Sequence, residues 1–321
     1  MADEAKPIVE VGLLGHGHLG KFHAQKARHL RNSKLTVIVE PEATIRQRLK
    51  TEYPDVEICQ ELSQALPLAQ AFLIVTPTSM HFPMTVECLK AQKHVFIEKP
   101  MVANLMEAKL LKDLLQKYPV KLQVGHSERF HAAWEIIKRE QYQAFFQGNV
   151  SVRINRLAPF KGRAVDVDVI TDLMIHDIDI VRLLFAKNPS RITAFGHKMR
   201  TANWDHVTTS MSYTEDLNVI MTAGRNYPRE ERSVEIISDY GTILVDLFAC
   251  QIFIYSGVSE TPEIISYEKR DHLLLEQELF YNAILKNQEV PVNFDDGIYA
   301  LKVMDAISRS LENKEVVDLA W

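Results

Sequence analysis

One apolar stretch carries three groups able to move or hold a proton. Asp172, His176 and Asp179 stand among Ile170, Leu173, Met174, Ile175, Ile178, Val181 and Leu183. Their i, i+4, i+7 spacing puts all three on one face of a helix. Charge in so apolar a setting is costly unless it is paired or lines a cavity. An imidazole that titrates near neutrality, set beside carboxylates, suits general acid–base chemistry. The same trio equally describes a core histidine held by two acids. A metal reading through Asp172, His176 and Asp177 is weaker, because Asp177 falls on a different face of the helix.

A second constellation lies near the start of the chain. Gly15-His16-Gly17-His18-Leu19-Gly20 fits G-x-G-x-x-G, directly after a predicted strand and at the opening of a predicted helix. That context is what gives an otherwise weak pattern its meaning. Gly15 permits the tight turn, Gly17 lets the backbone approach a pyrophosphate, and Gly20 lets helix and strand pack closely. The helix N-terminus then offers free N–H groups to phosphate. Glu40 follows at the end of the second predicted strand. A carboxylate there accepts from a ribose diol and repels a 2′-phosphate, which favours NAD over NADP. Arg46 and Arg48 nearby weaken that preference. His16, His18 and His23 match no recognised metal-ligand spacing, and no metal is expected.

Thr76-Pro77 follows the third predicted strand and Glu98-Lys99-Pro100 the fourth. Both lie where an open α/β sheet binds ligands, outside the carboxyl ends of its strands. Pro100 biases Lys99 toward an extended backbone. This could aim an ammonium across the crevice. The plain alternative for Glu98-Lys99 is a surface ion pair.

The elements that must position these groups can be read from the apolar pattern. Strands are predicted at residues 8–14, 35–39, 71–75, 94–97 and 121–124, alternating with helices at 21–32, 44–52, 80–91 and 104–117. That alternation implies βαβ units and a parallel sheet with both faces covered. The pattern changes near residue 126. A helix at 132–140 is followed by strands at 149–155, 192–198, 205–213, 218–223, 232–238, 241–246 and 249–255. The apolar helix at 170–185 interrupts them, and helices at 273–286 and 297–312 come last. Strands joined by short turns read as an antiparallel sheet. The expected class is α/β, with an N-terminal Rossmann doubly wound parallel sheet over 1–125. A C-terminal α+β domain with an open, mainly antiparallel sheet is expected over 126–321.

The chain has 321 residues, 46% hydrophobic and 25% charged, with a formal net charge of −5. Such a balance, with no basic block, argues against nucleic acid or an anionic membrane as the main partner. No apolar run is long enough for a transmembrane helix, and the first residues lack a signal-peptide pattern. Cys59, Cys88 and Cys250 are odd in number and far apart. They form no disulfide scaffold or thiolate site, and a reducing cytoplasm is the expected home.

These clusters, in this order, resemble the Gfo/Idh/MocA oxidoreductase family. The resemblance rests on Gly15 to Gly20, TPTSMH from Thr76 to His81, EKP from Glu98 to Pro100, GHSERF from Gly125 to Phe130, and DLMIHDID from Asp172 to Asp179. It implies an NAD-dependent dehydrogenase with Lys99 as active-site lysine and Asp172 and His176 in the catalytic positions. It further implies that Thr76, His81, Glu98 and Arg129 line the nicotinamide side of the cofactor pocket, with Pro77 and Lys99 also among the cofactor-binding residues. The family's open sheet commonly forms an oligomer interface, so a homodimer or homotetramer is expected. Ile170-Thr171 replaces a glycine pair that many members carry, which disfavours a simple polyol substrate. The runs GHSERFHAA, RLAPFKGRAVDVDVITDLMIHDIDI and RNYPREERSVEII look like the branch that includes UDP-N-acetylglucosamine 3-dehydrogenases. By that resemblance Arg156, Lys161, Arg163 and Arg225 are candidates for a substrate diphosphate, and arginine is well suited to such anions. The substrate expected is a nucleotide sugar, with a free sugar or inositol as the alternative and a non-catalytic NAD-binding protein as a third. Either His176 or Lys99 could serve as the base.

Overall fold

The first strand, β1 (Val9–Leu14), is buried at every position but one. That near-continuous apolar character suits a strand covered on both faces. The computed structural model describes residues 7–162, 165–214 and 216–321. After β1 come α1 (His18–His29), β2 (Ser33–Val39), α2 (Ala43–Glu52), β3 (Glu57–Cys59), α3 (Leu62–Ala65), β4 (Ala71–Ile74), α4 (Thr78–Lys90), β5 (His94–Glu98), α5 (Leu105–Leu115) and β6 (Leu122–Gly125). The six strands run parallel in the order β3-β2-β1-β4-β5-β6. The order reverses between β1 and β4, the switch point where an open sheet makes its ligand crevice. The expected parallel sheet is therefore present. β3, only three residues long, gave too short a run for its sequence to reveal.

Helix α1 buries Gly20, His23, Ala24 and Ala27. These fall at i, i+3, i+4 and i+7, the stripe that packs a helix on a sheet. Three of the four are too small to hold the helix away from β1, and the fourth, His23, is polar.

The chain divides into two compact units. The first takes in the chain up to Ser127 together with Asp271–Leu301; the second comprises Glu128–Arg270 and Lys302–Trp321. The stretch Asp271–Leu301, which the sequence pattern placed after residue 126 in the other domain, thus packs within the first unit. It includes α8 (His272–Leu285), numbered after α6 (Ala132–Ile137) and α7 (Ile175–Phe185). Phe280, Tyr281 and Ala283 of α8 join Val9, Val11, Leu13 and Phe96 in one buried cluster. Asp271 caps the helix, accepting from Leu274 N at 3.0 Å. α9 (Phe294–Asn313) begins in the first unit and ends in the second.

The second unit is built on β7 (Val150–Leu157), β8 (Arg191–His197), β9 (His206–Thr214), β10 (Leu217–Gly224), β11 (Glu231–Ser238), β12 (Gly241–Asp246), β13 (Gln251–Ser256), β14 (Glu263–Ser266) and β15 (Val317–Asp318). They form one nine-stranded sheet, β14-β13-β12-β11-β7-β10-β9-β8-β15. Only β7 and β10 pair in parallel; the other neighbours are antiparallel. The expected open, mainly antiparallel sheet is present, widened by β14 and β15. The register aligns Ile220, Arg153, Glu235, Leu244, Phe253 and Ile264 in one row across six strands. Directly opposite residues share a face. Ile220 and Ile264 of this row are exposed, as is Phe195 on β8. Val152, Ile154, Val219 and Met221 point the other way and are buried. Among the described residues no helix is long and apolar enough to cross a membrane.

Candidate active site

In the first unit the glycine loop has the form its residues require. Gly15 has φ of 89°, and a side chain there would meet Val75 O at 2.8 Å, so only glycine fits. Gly20 faces the Gly15 carbonyl, and a Cβ would overlap that oxygen. Gly17 differs: a Cβ on it would meet nothing within 4 Å. The space in front of Gly17 is open, as backbone approach by a phosphate requires. Gly17 is the N-cap of α1, whose first residues are His18, Leu19 and Gly20, and as a glycine it has no side chain with which to cap them. The leading N–H groups of that helix therefore face a place suited to an anion.

Glu40 follows β2 and is buried. Its Oε2 accepts from His16 N at 3.2 Å and its Oε1 from Glu42 N at 3.1 Å. Arg46 donates to the carbonyls of Glu40 and Pro41 at 2.9 and 2.6 Å. Gly15, His16, Gly17, Glu40, Thr76 and Pro77 line one cavity of about 1000 Å³. His16 Nε2 contacts the Tyr53 hydroxyl at 3.2 Å, while its Nδ1 is buried with no partner among the described residues. Open space at Gly17, an unmatched buried nitrogen on His16 and a fixed carboxylate at Glu40 together fit a dinucleotide. These residues would hold it.

His81, on α4, bridges two loops. Its Nε2 contacts Thr76 O and its Nδ1 contacts Pro100 O, each at 2.9 Å. Burial lowers its pKa, against the pull of those two carbonyls. His81 thus ties together the loops after β4 and β5 rather than simply lining a pocket. Glu98, at the end of β5, turns inward: Oε1 accepts from His23 Nε2 at 2.7 Å and Oε2 from Lys99 N at 3.2 Å. The Lys99–Pro100 peptide is cis.

In the second unit, Asp172 lies in a π-helical turn, Ile170–Met174, that leads into α7. The N–H of Ile175 reaches Ile170 O, five residues back. Such single wide turns recur at functional sites. His176 is the second residue of α7 and is half-buried. Asp179 of α7 is buried. It is paired with Arg129, whose Nε donates to Oδ2 at 3.0 Å. Arg129, expected beside the nicotinamide, is held in this buried pair.

The expected diphosphate ligands divide into two kinds. Arg156 is buried and committed: Nε donates to Asp177 Oδ1 at 2.9 Å, and its terminal nitrogens reach Glu128 Oε2 at 3.3 Å. Burial opposes the charge on Arg156, but Asp177 and Glu128 outweigh it and raise its pKa. Arg225 is likewise tied to Asp205 at 2.9 Å and to Val167 O. Lys161 pairs with Glu230 and Arg232 with Glu128, yet their side chains remain 58% and 41% exposed. Arg163 lies outside the described residues. Arg156, Lys161, Asp172, Arg225, Glu230 and Arg232 line a cavity of about 180 Å³. That volume has room for a phosphate but not for a whole nucleotide sugar.

Three residues of these networks escaped sequence reasoning in their observed roles: His23, Asp177 and Glu128. For His23 the signal was a polar residue on the packed stripe of α1. For Asp177 it was a charge in an apolar helix.

Comparison with known proteins agrees with this geometry. A model of the GFO/IDH/MocA oxidoreductase family, NAD-binding Rossmann fold, matches residues 9–126, and one of the GFO/IDH/MocA C-terminal domain matches residues 140–244. The chain is 32% identical over 311 residues to the UDP-N-acetylglucosamine 3-dehydrogenase of Acidithiobacillus ferrooxidans, covering 93% of this chain and 95% of that one. A solved structure of that enzyme has a TM-score of 0.87 at 31% identity, covering 95% and 98% of the two chains. The scyllo-inositol dehydrogenase of Lactobacillus casei, solved with NAD(H) and scyllo-inositol, has a TM-score of 0.83 at 23% identity, covering 97% and 99%, and shows the shared fold. Glycine loop, switch-point cavity and two-domain match together place the chain in the Gfo/Idh/MocA family, as an NAD-dependent oxidoreductase acting on CH–OH groups.

Proposed function

We propose that this enzyme oxidises a secondary alcohol of a nucleotide sugar, at the 3-position of a UDP-N-acetylglucosamine-like substrate. The observation that carries the reading is the small basic cavity beside Asp172, lined by the half-exposed cations Lys161 and Arg232. It suits an anionic phosphate of a sugar-linked diphosphate, which an inositol lacks. The relative that is 32% identical over most of both chains is named for a substrate of this class. In this reading Arg156 and Arg225 build the cavity wall, and Lys161 and Arg232 meet the anion. Arg163 is kept as a further candidate.

When bound, NAD supplies the two-electron acceptor. The residues of this chain supply the proton chemistry and the positioning. His176 takes the hydroxyl proton, Asp172 orients its ring, and Lys99 stabilises the developing alkoxide by charge and hydrogen bonding. Glu40 holds the adenosine ribose, and the N-terminus of α1 takes the pyrophosphate. The exposed sheet face that carries Phe195, Ile220 and Ile264 is covered by a second copy of the chain.

The test is turnover with NAD on UDP-N-acetylglucosamine and on myo-inositol, followed by NADH absorbance. The nucleotide sugar is expected to react and the inositol to react poorly. The reverse preference would overturn the substrate assignment. Near-normal turnover by both Lys99→Met and His176→Asn would overturn the assigned site. A monomer in sedimentation would remove the second copy.

A further inference from the structure

We propose that Tyr281, Gln277 and His23 form a positioning chain that holds the Glu98 carboxylate, and through it the Lys99 backbone, in place for the reaction. This rests on the reading above that Lys99 acts at the reacting alcohol.

The chain crosses the buried centre of the first unit. Glu98 Oε1 lies 2.7 Å from His23 Nε2. On the opposite side of the ring, His23 Nδ1 lies 2.8 Å from Gln277 Nε2, across 254 residues of sequence. The same amide nitrogen is 3.4 Å from the His23 carbonyl oxygen. A carbonyl can only accept, so the nitrogen end of the amide must face His23. Nδ1 is therefore an acceptor, and the ring proton sits on Nε2, aimed at Glu98. The Tyr281 hydroxyl donates to Gln277 Oε1 at 2.8 Å and fixes the far end of the amide. Each donor in the sequence Tyr281, Gln277, His23 points toward Glu98. The second carboxylate oxygen of Glu98 accepts the Lys99 backbone N–H.

Cost argues that this chain is more than packing. His23, Gln277 and Tyr281 are fully buried, and the His23 ring stands edge-on to Phe96. Apolar residues of the same volume would fill such a place at no loss of stability, often with a gain. Room is also reserved for the carboxylate: a Cβ on Gly125 would come within 3.1 Å of its carbon and both oxygens. Burial alone would push the Glu98 carboxyl up, but the hydrogen bond from His23 and the charge of nearby Lys99 hold it below the ordinary value. The titratable groups acting on Glu98 are His23 from α1, Lys99 beside it and His81 from α4.

The experiment uses the full-length protein and three variants. His23→Leu removes the donor. His23→Gln places an amide N–H near the position of Nε2. Tyr281→Phe removes only the outer hydroxyl and keeps the core filled. Isotope-edited infrared spectra with labelled glutamate, using Glu98→Gln for subtraction, read the ionisation of Glu98 without any substrate. Wild type and His23→Gln are expected to show ionised Glu98 at neutral pH. His23→Leu is expected to show the protonated band, and Tyr281→Phe an intermediate titration. Turnover should follow the same order, with kcat about tenfold or more lower in His23→Leu and largely recovered in His23→Gln. The Kd for NAD should stay within about twofold throughout. An ionised Glu98 in His23→Leu, or equal impairment of His23→Leu and His23→Gln, would reduce the chain to packing and overturn the inference. A wild type that turns over no sugar would instead remove the role given to Lys99, while the infrared bands still judge how the carboxylate is held.

Discussion

The guanidinium of Arg129 donates through Nε to Asp179 at 3.0 Å, and the carboxylate is 1% exposed. A pair this deeply buried is sensitive to loss of one member, because the other is left charged in a poor solvent. Arg129→Met is expected to destabilise the fold by about 3–5 kcal/mol. Arg129→Lys keeps the charge but not the planar fork, and is expected to lose about 1–2 kcal/mol. Denaturant unfolding checks both. An Arg129→Met protein as stable as the wild type, with weakened NAD binding, would show that Arg129 serves the cofactor rather than the fold.

Glu40 is held rigid by two backbone N–H groups, with Arg46 anchored on the neighbouring carbonyls. Substituting Glu40→Ser removes the repulsion toward a 2′-phosphate while the guanidinium stays nearby. The ratio of kcat/KM for NADP over NAD is expected to rise about 10- to 100-fold. Steady-state rates with the two cofactors decide it. An unchanged ratio would mean that Glu40 does not face the ribose.

Gly17 and Gly20 should separate binding from stability. A methyl on Gly17 enters open space, whereas one on Gly20 collides with the Gly15 carbonyl. Gly17→Ala is expected to leave the Tm nearly unchanged and to raise the Kd for NAD at least about tenfold, by keeping the phosphate off the backbone. Gly20→Ala is expected to cost about 1–3 kcal/mol by overpacking α1 against the loop. Melting curves with and without NAD distinguish the two. A Gly17→Ala protein that binds NAD normally would place the pyrophosphate elsewhere.

What could be read from the sequence was local. The glycine loop and Glu40 are patterns of a strand, a turn and a helix start, each set by residues a few positions apart. Both sheets were legible because parallel and antiparallel strands leave different apolar rhythms. The site networks were not. Gln277 meets His23 from the other end of the chain, and no periodicity links them. Asp172, His176 and Asp179 were placed on one face by α-helical spacing. The π turn at Ile170–Met174 adds about one residue, close to 100° of rotation, ahead of α7. Asp177, set aside for its direction, is the partner of buried Arg156. Arg156 itself looked like a phosphate ligand because a sequence shows charge but not which acid is opposite.

His81 gives the pH dependence a sign. Its two ring nitrogens face the carbonyls of Thr76 and Pro100, and only an imidazolium could donate to both. Burial nevertheless lowers its pKa from 6.5. His16, His94 and His206 are lowered as well, each chiefly by burial. A histidine with a lowered folded pKa binds its proton more readily in the unfolded chain. Its contribution is therefore fully present above the unfolded value near 6.5 and is lost as the pH falls through the lower folded value. The depressed carboxyls Glu98 and Asp205 act in the same direction, but in a window below the ordinary carboxylate range. Thermal unfolding from about pH 7.5 to about pH 5 should show a falling Tm. His81→Gln, which bonds without titrating, should make that fall shallower. A Tm that rises on acidification, or a His81→Gln slope as steep as the wild type's, would show that His81 does not carry this dependence.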